Sequence, residues 1–391
     1  MMFLQYLAMG TFSPILSHYL KDYLGFEPFH VGLILATLAA GTCIAPFMEA
    51  FFVGRLLGPE RFLAVSQFAA AGIMWLLSRQ TEFLRFWAVY AVYAVMFMPS
   101  IALTNTIALH HVPDARREFG SIRMWGTTAW VVVAWTFGLF WLTDQGRLPD
   151  ALKLSALCSL VYGCYALTLP RSEPSAGAHP TFRPWRAIGV FKRPSLLFLC
   201  GATLLVSVIH QYYYYGMSPF LSQIGFAENH IMPVMSLGQI SEAIVLGVLG
   251  MCLARLGIKR ALILGVLAQA LRCAVFAVGH PKPLVVAAIP SHGICYAFFF
   301  TAAYLYLDTH CSRETRGNAQ QLFTIIISGL GPFIGFLVAG KVAQLLTFPE
   351  TTTIDYPVFW LVPAALALGA AIAISLFFRE TRPEPATPEG N

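Results

Sequence analysis

Twelve apolar stretches follow one another along this chain, separated by short polar punctuation, and most approach the roughly 20 residues a helix needs to cross a bilayer core. They run approximately over residues 2–20, 31–53, 62–79, 84–108, 120–142 and 152–169, then 195–221, 231–253, 260–279, 284–307, 319–344 and 357–378. Hydrocarbon offers no water to unpaired peptide groups, so a spanning segment of this kind must satisfy its own backbone as a helix. Composition points the same way. Of 391 residues, 57% are hydrophobic and 11% charged, against roughly 25% charged in soluble domains, and a water-soluble fold could not hide that apolar surface.

The longest polar stretch, from Arg171 to Pro194, is rich in Pro and Arg and reads as a linker. It divides the chain into two six-helix halves, residues 1–170 and 195–380, ahead of a tail at 381–391 expected to be disordered. Lys and Arg fall unevenly. Sixteen lie in the loops on the linker side, among them Arg61, Arg116, Arg117, Arg255, Lys259 and Arg316, and six on the other: Lys21, Arg79, Arg85, Arg147, Lys153 and Lys282. The positive-inside rule then puts both termini and the linker in the cytoplasm. The halves echo each other, RLLGPER after the second span against RLGIKR after the eighth, and DARREFG after the fourth against SRETRGN after the tenth. Parallel repeats about an axis normal to the bilayer predict an all-α integral membrane protein of the major facilitator fold, with solute held between the halves near the midplane.

Other function classes find little support. Eight cysteines stand singly, with no C-x-x-C and no His/Cys cluster, so neither a disulfide framework nor a metal site is expected. No Gly-rich phosphate loop or catalytic constellation occurs, and no enzymatic activity or cofactor is expected. The net charge of +6 follows from loop topology and requires no nucleic acid partner. Met1 opens directly on an apolar run without a basic leader, so no removable signal peptide is expected.

Ionisable groups inside spans cost about 2.5–3.5 kcal/mol each on the insertion scale, and they usually face a cavity or a partner. Glu49, Arg123, Glu242, Arg272, Asp308 and Lys341 are the candidates, and Glu49, Asp308 and Lys341 sit near enough to span ends to reach out of the hydrocarbon. In the fifth span Arg123, Thr127 and Trp130 fall at i, i+4 and i+7, so guanidinium, hydroxyl and indole share one face suited to a planar polar solute. In the eighth, Ser236, Gln239 and Glu242 share another, and Glu242 is the leading proton carrier. The opposing reading is a permanent salt bridge of Glu242 with Arg123 or Arg272. The seventh span carries His210, Gln211 and four consecutive tyrosines, of which at most two can face a cavity. His292, Cys295 and Tyr296 in the tenth span, and Gln5 in the first, serve equally well as solute contacts or interhelical hydrogen bonds. Gly329, Gly331, Gly335 and Gly340 mark close helix packing.

FLQYLAMG (Phe3–Gly10), TNTIAL (Thr104–Leu109), SIRMWGT (Ser121–Thr127), SLGQISE (Ser236–Glu242), RLGIK (Arg255–Lys259), LRCAVFA (Leu271–Ala277) and AGKV (Ala339–Val342) together resemble the nucleoside:H+ symporters of the major facilitator superfamily. The resemblance implies a nucleoside held by groups matching Arg123, Thr127, Gln239 and Glu242, with an aromatic at Trp130 and with Gln211 and Tyr214 from the seventh span; a one-residue slip brings His210 forward instead. It also implies import by alternating access of a monomeric carrier, with a nucleoside and a proton as partners within the lipid bilayer. The chain departs from the family at Ala297, where an aspartate follows the aromatic, and at Gly54 after the second span. Either Glu242 couples protons with His292 as relay, or the carrier is an uncoupled facilitator. A sugar or oligosaccharide symporter, with Arg272 on the ninth span, and a non-transporting membrane sensor are the rival readings.

Overall fold

The computed structural model describes residues 1–53, 57–112, 115–170, 189–312 and 315–381. Most of the linker, the tail beyond residue 381, Gly54, Arg55 and the loop side chains of Arg116 and Arg117 lie outside the described residues. The described chain is helical, with two isolated bridges as its extended pairings. Its helical segments in order are α1 (residues 2–23), α2 (Pro28–Phe52), α3 (Pro59–Leu77), α4 (Phe83–His111), α5 (residues 115–138) and α6 (Pro149–Ala166). After the linker come α7 (Pro194–Gln223), α8 (Glu228–Leu256), α9 (Ile258–Val278), α10 (Lys282–Thr309), α11 (Arg316–Leu345) and α12 (Tyr356–Phe377).

Eight of these, α2, α4 and α7 to α12, are long and apolar enough to cross a bilayer by length and composition. The other four carry polar loads or breaks that dilute the signal. α1 stops as a regular helix at Gly10, passes through a 3-10 turn at Ser13–Ile15 and ends in a π turn at Tyr19–Tyr23. Pro14 has no N–H to continue the ladder, which accounts for the break. α5 carries Arg116, Arg117, Glu118 and Arg123 in its first half. Its apolar second half loosens into a π turn at Ala134–Gly138. α10 is interrupted near Pro290 and widens into a π turn at Tyr296–Thr301; α11 does the same at Ile325–Leu330. Insertions of this kind cluster at functional positions in helices, and here each lies in a helix that faces the middle of the molecule or packs against one.

The apolar exterior is what a lipid-facing surface requires. Phe140, Leu84, Leu197, Ile244, Leu271, Leu345 and Phe377 are exposed, and the outward faces carry few charges. Inside, three buried clusters form the core among the described residues: a large one joining helices of both halves, a second made by α7 and α9 to α12, and a small one of α3, α4 and α6. Between halves, α11 meets α2 where Gly340 and Gly32 bring their backbones together; a Cβ on Gly340 would stand 3.0 Å from the Gly32 Cα. The glycines singled out in the sequence of α11 thus serve close packing.

Hydrogen bonds that cross from one half to the other gather at the end away from the linker. Tyr215 donates to the Pro28 carbonyl at 2.8 Å, Ser17 donates to the Tyr215 carbonyl, and Asn229 donates to the Leu139 carbonyl at 3.3 Å. At their centre His18, fully buried on α1, places Nδ1 2.6 Å from Asp22 and Nε2 2.7 Å from Glu228 of α8. Carboxylates only accept, so with one on each ring nitrogen the imidazole donates twice and is the imidazolium. Ser222 at 3.2 Å and Gln145 at 3.4 Å donate to the other Glu228 oxygen. The halves are therefore latched together at this end.

Candidate functional site

Along α5 the side chains of Arg123, Thr127 and Trp130 stack on one face, as their spacing requires. Gly126 leaves room for the guanidinium to fold back over its own helix, because a Cβ there would collide with Arg123 Nη1 and the Tyr6 ring, each at 2.7 Å. Arg123 accordingly lies 4.2 Å above the ring of Tyr6 on α1. A cation over an aromatic face is held electrostatically, by roughly 0.5–2 kcal/mol, without neutralising its charge. The guanidinium stays half-buried and available to a solute.

Glu242 comes from α8, and its environment is set by α10. Gly293 of α10 presses against the backbone of Ser241 and Glu242 so closely that any Cβ would overlap it. This approach brings the buried His292 beside the carboxylate, with Nε2 3.8 Å from Glu242 Oε2 and 3.4 Å from the Tyr214 hydroxyl of α7. Glu242 is partly open, its side chain 21% exposed. Of the two arginines weighed as its partner, Arg123 is the one whose charge reaches it, and Tyr296 lies in the field of Glu242 and Arg123. No direct salt bridge joins Glu242 to either arginine among the described residues, and the carboxylate faces His292. Replacing Gly293 by Ala should wedge α8 from α10, at roughly 1–3 kcal/mol of overpacking, and lower transport in protein that still reaches the membrane; unchanged uptake by that variant would show that the contact does not set the site.

Between the halves a cavity is lined by Pro14, Trp130, Ala134, Tyr213, Tyr214, Met232, Met235, Ser236 and Gln239. Trp130, Tyr214 and Gln239 are thus brought together from α5, α7 and α8. Of the four tyrosines, Tyr213 and Tyr214 face this space, whereas Tyr212 and Tyr215 pack on Phe359 of α12. Gln211 is turned elsewhere: its Cβ and Cγ pack where Gly335 of α11 has no side chain. Gln5 is buried and accepts from Gln67, Ser100 and Thr104 at 3.1–3.2 Å, which makes it an interhelical clasp of the first half. Asp308, near the end of α10, pairs with Arg316 at 3.3 Å.

Some groups of the site escaped the sequence reading. Pro14, Met232 and Met235 are apolar and give no polar signal, although the methionines recur three apart on the helix that carries Ser236 and Gln239. Trp135 donates to the Ser236 hydroxyl at 3.1 Å and closes the cavity between α5 and α8. The pairing of Tyr6 with Arg123 joins residues over a hundred positions apart.

The chain is similar in sequence and fold to known proteins. Residues 1–383 match the family described as "Nucleoside H+ symporter". Curated relatives from Escherichia coli K12 include the putative nucleoside transporter YegT, 27% identical over 97% of this chain and 93% of its own length. The xanthosine permease of the same organism is 26% identical over 97% and 94%. The crystal structure of the nucleoside transporter NupG superposes with a TM-score of 0.88 at 24% identity, covering 97% of this chain and 98% of that one. A match that runs through nearly the whole length, on a helical bundle with a cavity between its halves, places this multi-pass membrane protein in the nucleoside H+ symporter family.

Proposed function

We propose that this carrier imports nucleosides by alternating access and couples each crossing to a proton taken by Glu242. The observation that supports it most is that a guanidinium, Arg123, and a partly open carboxylate, Glu242, come within reach of each other's charge from opposite halves, each on the helix whose Trp130 or Gln239 lines the cavity, although neither of the two charged side chains is itself part of the lining. Trp130 and Tyr214 offer flat faces to a base. Gln239 and Thr127 offer hydrogen bonds, and Arg123 gives the charge-assisted one. Gln211 contributes through its packing on Gly335 and reaches solute only if α11 moves. His292, between Glu242 and Tyr214, is the group through which a proton would pass.

In this reading both termini face the cytoplasm of a bacterial inner membrane and all twelve helical segments cross it. Residues 1–170 and 195–380 rock as two units, and the monomer suffices because the cavity is complete within one chain. The latch at His18 and Glu228 closes the outer end, so the structure supports an inward-facing state. Arg123→Ala is expected to weaken nucleoside binding about tenfold to a hundredfold, the worth of a hydrogen bond to a charged group; unchanged affinity by isothermal titration would remove Arg123 from the site. Inhibition of labelled uridine uptake by adenosine, inosine, xanthosine, glucose and maltose tests the substrate class. Nucleosides should compete and sugars should not, and competition by the sugars instead would overturn the reading.

A further inference from the structure

Behind the wall of the cavity, within the second half, lies a group that solute transport does not use. Arg272 of α9 is 1% exposed, and none of its three guanidinium nitrogens has a hydrogen-bond partner in the protein. Among the described residues no ion pair joins it to an acid, and Glu242 faces His292. Its favourable contacts are the ring of Tyr213, 4.6 Å from Cζ, and the adjacent Cys273 thiol, and neither carries a negative charge to balance it. A desolvated cation–π contact attracts the cation without neutralising it. Burying an ion is costly. The contacts leave most of that cost uncompensated, and a guanidinium cannot shed its proton to escape it.

The surroundings are rich in donors. Tyr213 hydroxyl, Gln269 Nε2, His210 Nδ1 and His292 Nδ1 are all buried without a partner. They form one contiguous cluster. The Tyr213 ring stands 5.1 Å from the His292 ring, and the His292 ring 4.8 Å from that of His210. Gln269 lies one turn before Arg272 on the same face of α9, and its Oε1 is already taken by the Cys295 thiol at 2.7 Å. What remains is a set of groups that donate, the two imidazoles in their Nδ1–H tautomers, around a fixed positive charge, drawn from α7, α9 and α10. Water could satisfy the dipoles but could not neutralise the charge.

We propose that this donor cluster around Arg272 binds a small monovalent anion of halide size, which acts as a resident counter-ion inside the second half. Its place behind Tyr213 and His292 separates it from the solute. The ion is a structural ligand, held by Arg272 and oriented by Gln269, Tyr213 and the two histidines.

Thermal unfolding of the purified full-length protein, with chloride titrated against gluconate at constant ionic strength, reads the site without any transport assay. A ligand that binds only the folded state raises the midpoint saturably, and an increase of a few degrees is expected, with bromide acting like chloride. Gln269→Glu puts a covalent carboxylate one turn from the guanidinium; this variant should unfold at the higher temperature even in gluconate and ignore chloride. Arg272→Gln should also lose the response. Anomalous scattering from bromide-grown crystals should place the ion within hydrogen-bonding reach of Arg272. An identical wild-type midpoint in chloride and gluconate, an undiminished chloride response in Gln269→Glu, or bromide density absent from Arg272 would each overturn the proposal, and none depends on either substituted protein being active.

Discussion

Glu242→Gln should abolish proton-driven accumulation of nucleoside while leaving exchange of labelled for unlabelled solute. The carboxylate is partly open, faces the ring of His292 and lies one turn along α8 from Gln239 of the cavity wall, within reach of the charge of Arg123. Moving a charge through hydrocarbon surroundings is unfavourable by about 2.5–3.5 kcal/mol even on the gentlest scale. A carrier whose Glu242 is protonated and whose polar groups are satisfied by solute therefore rocks more readily than one with a bare carboxylate, since a ligand shifts a two-state equilibrium through its differential free energy. Each unit of pH difference holds about 1.4 kcal/mol per proton, enough for about tenfold accumulation with one proton per solute. Glutamine keeps the shape and the hydrogen bonds but fixes the neutral form. The variant should reach equal concentrations inside and out, at any imposed pH difference. Counterflow in proteoliposomes separates the two activities, and a variant that still concentrates uridine would remove Glu242 from the coupling role.

Breaking the latch is expected to have the second large effect. Glu228 receives His18, Ser222 and Gln145 and ties α8 to α1 and to the segment before α6. In Glu228→Gln the bond from the buried imidazolium loses its ionic partner, worth roughly 1.5–3 kcal/mol, which shifts the balance between the two end states roughly tenfold to a hundredfold toward opening at this end. His18→Ala should shift it further, because Asp22 and Glu228 are then left facing each other without the cation between them. Spin labels at Arg85 and Lys282, on exposed positions of the two halves, would report a longer and broader distance distribution in the variants than in the wild type. Superimposable distributions would show that the ion pair does not hold this end closed.

Much of the site was legible because helical geometry is local. Arg123, Thr127 and Trp130 share a face whatever surrounds them, and so do Ser236, Gln239 and Glu242; four consecutive tyrosines could not all line one space, and two do. The helical order was legible for the related reason that each apolar run must satisfy its backbone alone. What remained hidden depends on contacts between distant residues. His18 and Glu228 are 210 positions apart, and each read singly is a polar residue near a span end; Asp22, one turn after His18, was the available hint. The seating of Gln211 on Gly335 and the pressure of Gly293 on Glu242 are matters of interhelical register, which single-helix periodicity does not specify. The breaks in α10 and α11 widen the helix by one residue per turn and rotate everything after them, so a regular wheel drawn through Tyr296 or Ile325 misplaces the residues beyond.

Proton movement recorded together with solute movement in the unmodified protein bears most directly on the account. Liposomes holding the purified carrier and a trapped pH indicator, with no initial pH difference, should acidify inside when uridine is added outside, in step with its uptake and at a fixed proton-to-solute ratio. Uridine entering at a normal rate while the internal pH stays constant would contradict coupling through the cavity and leave an uncoupled facilitator.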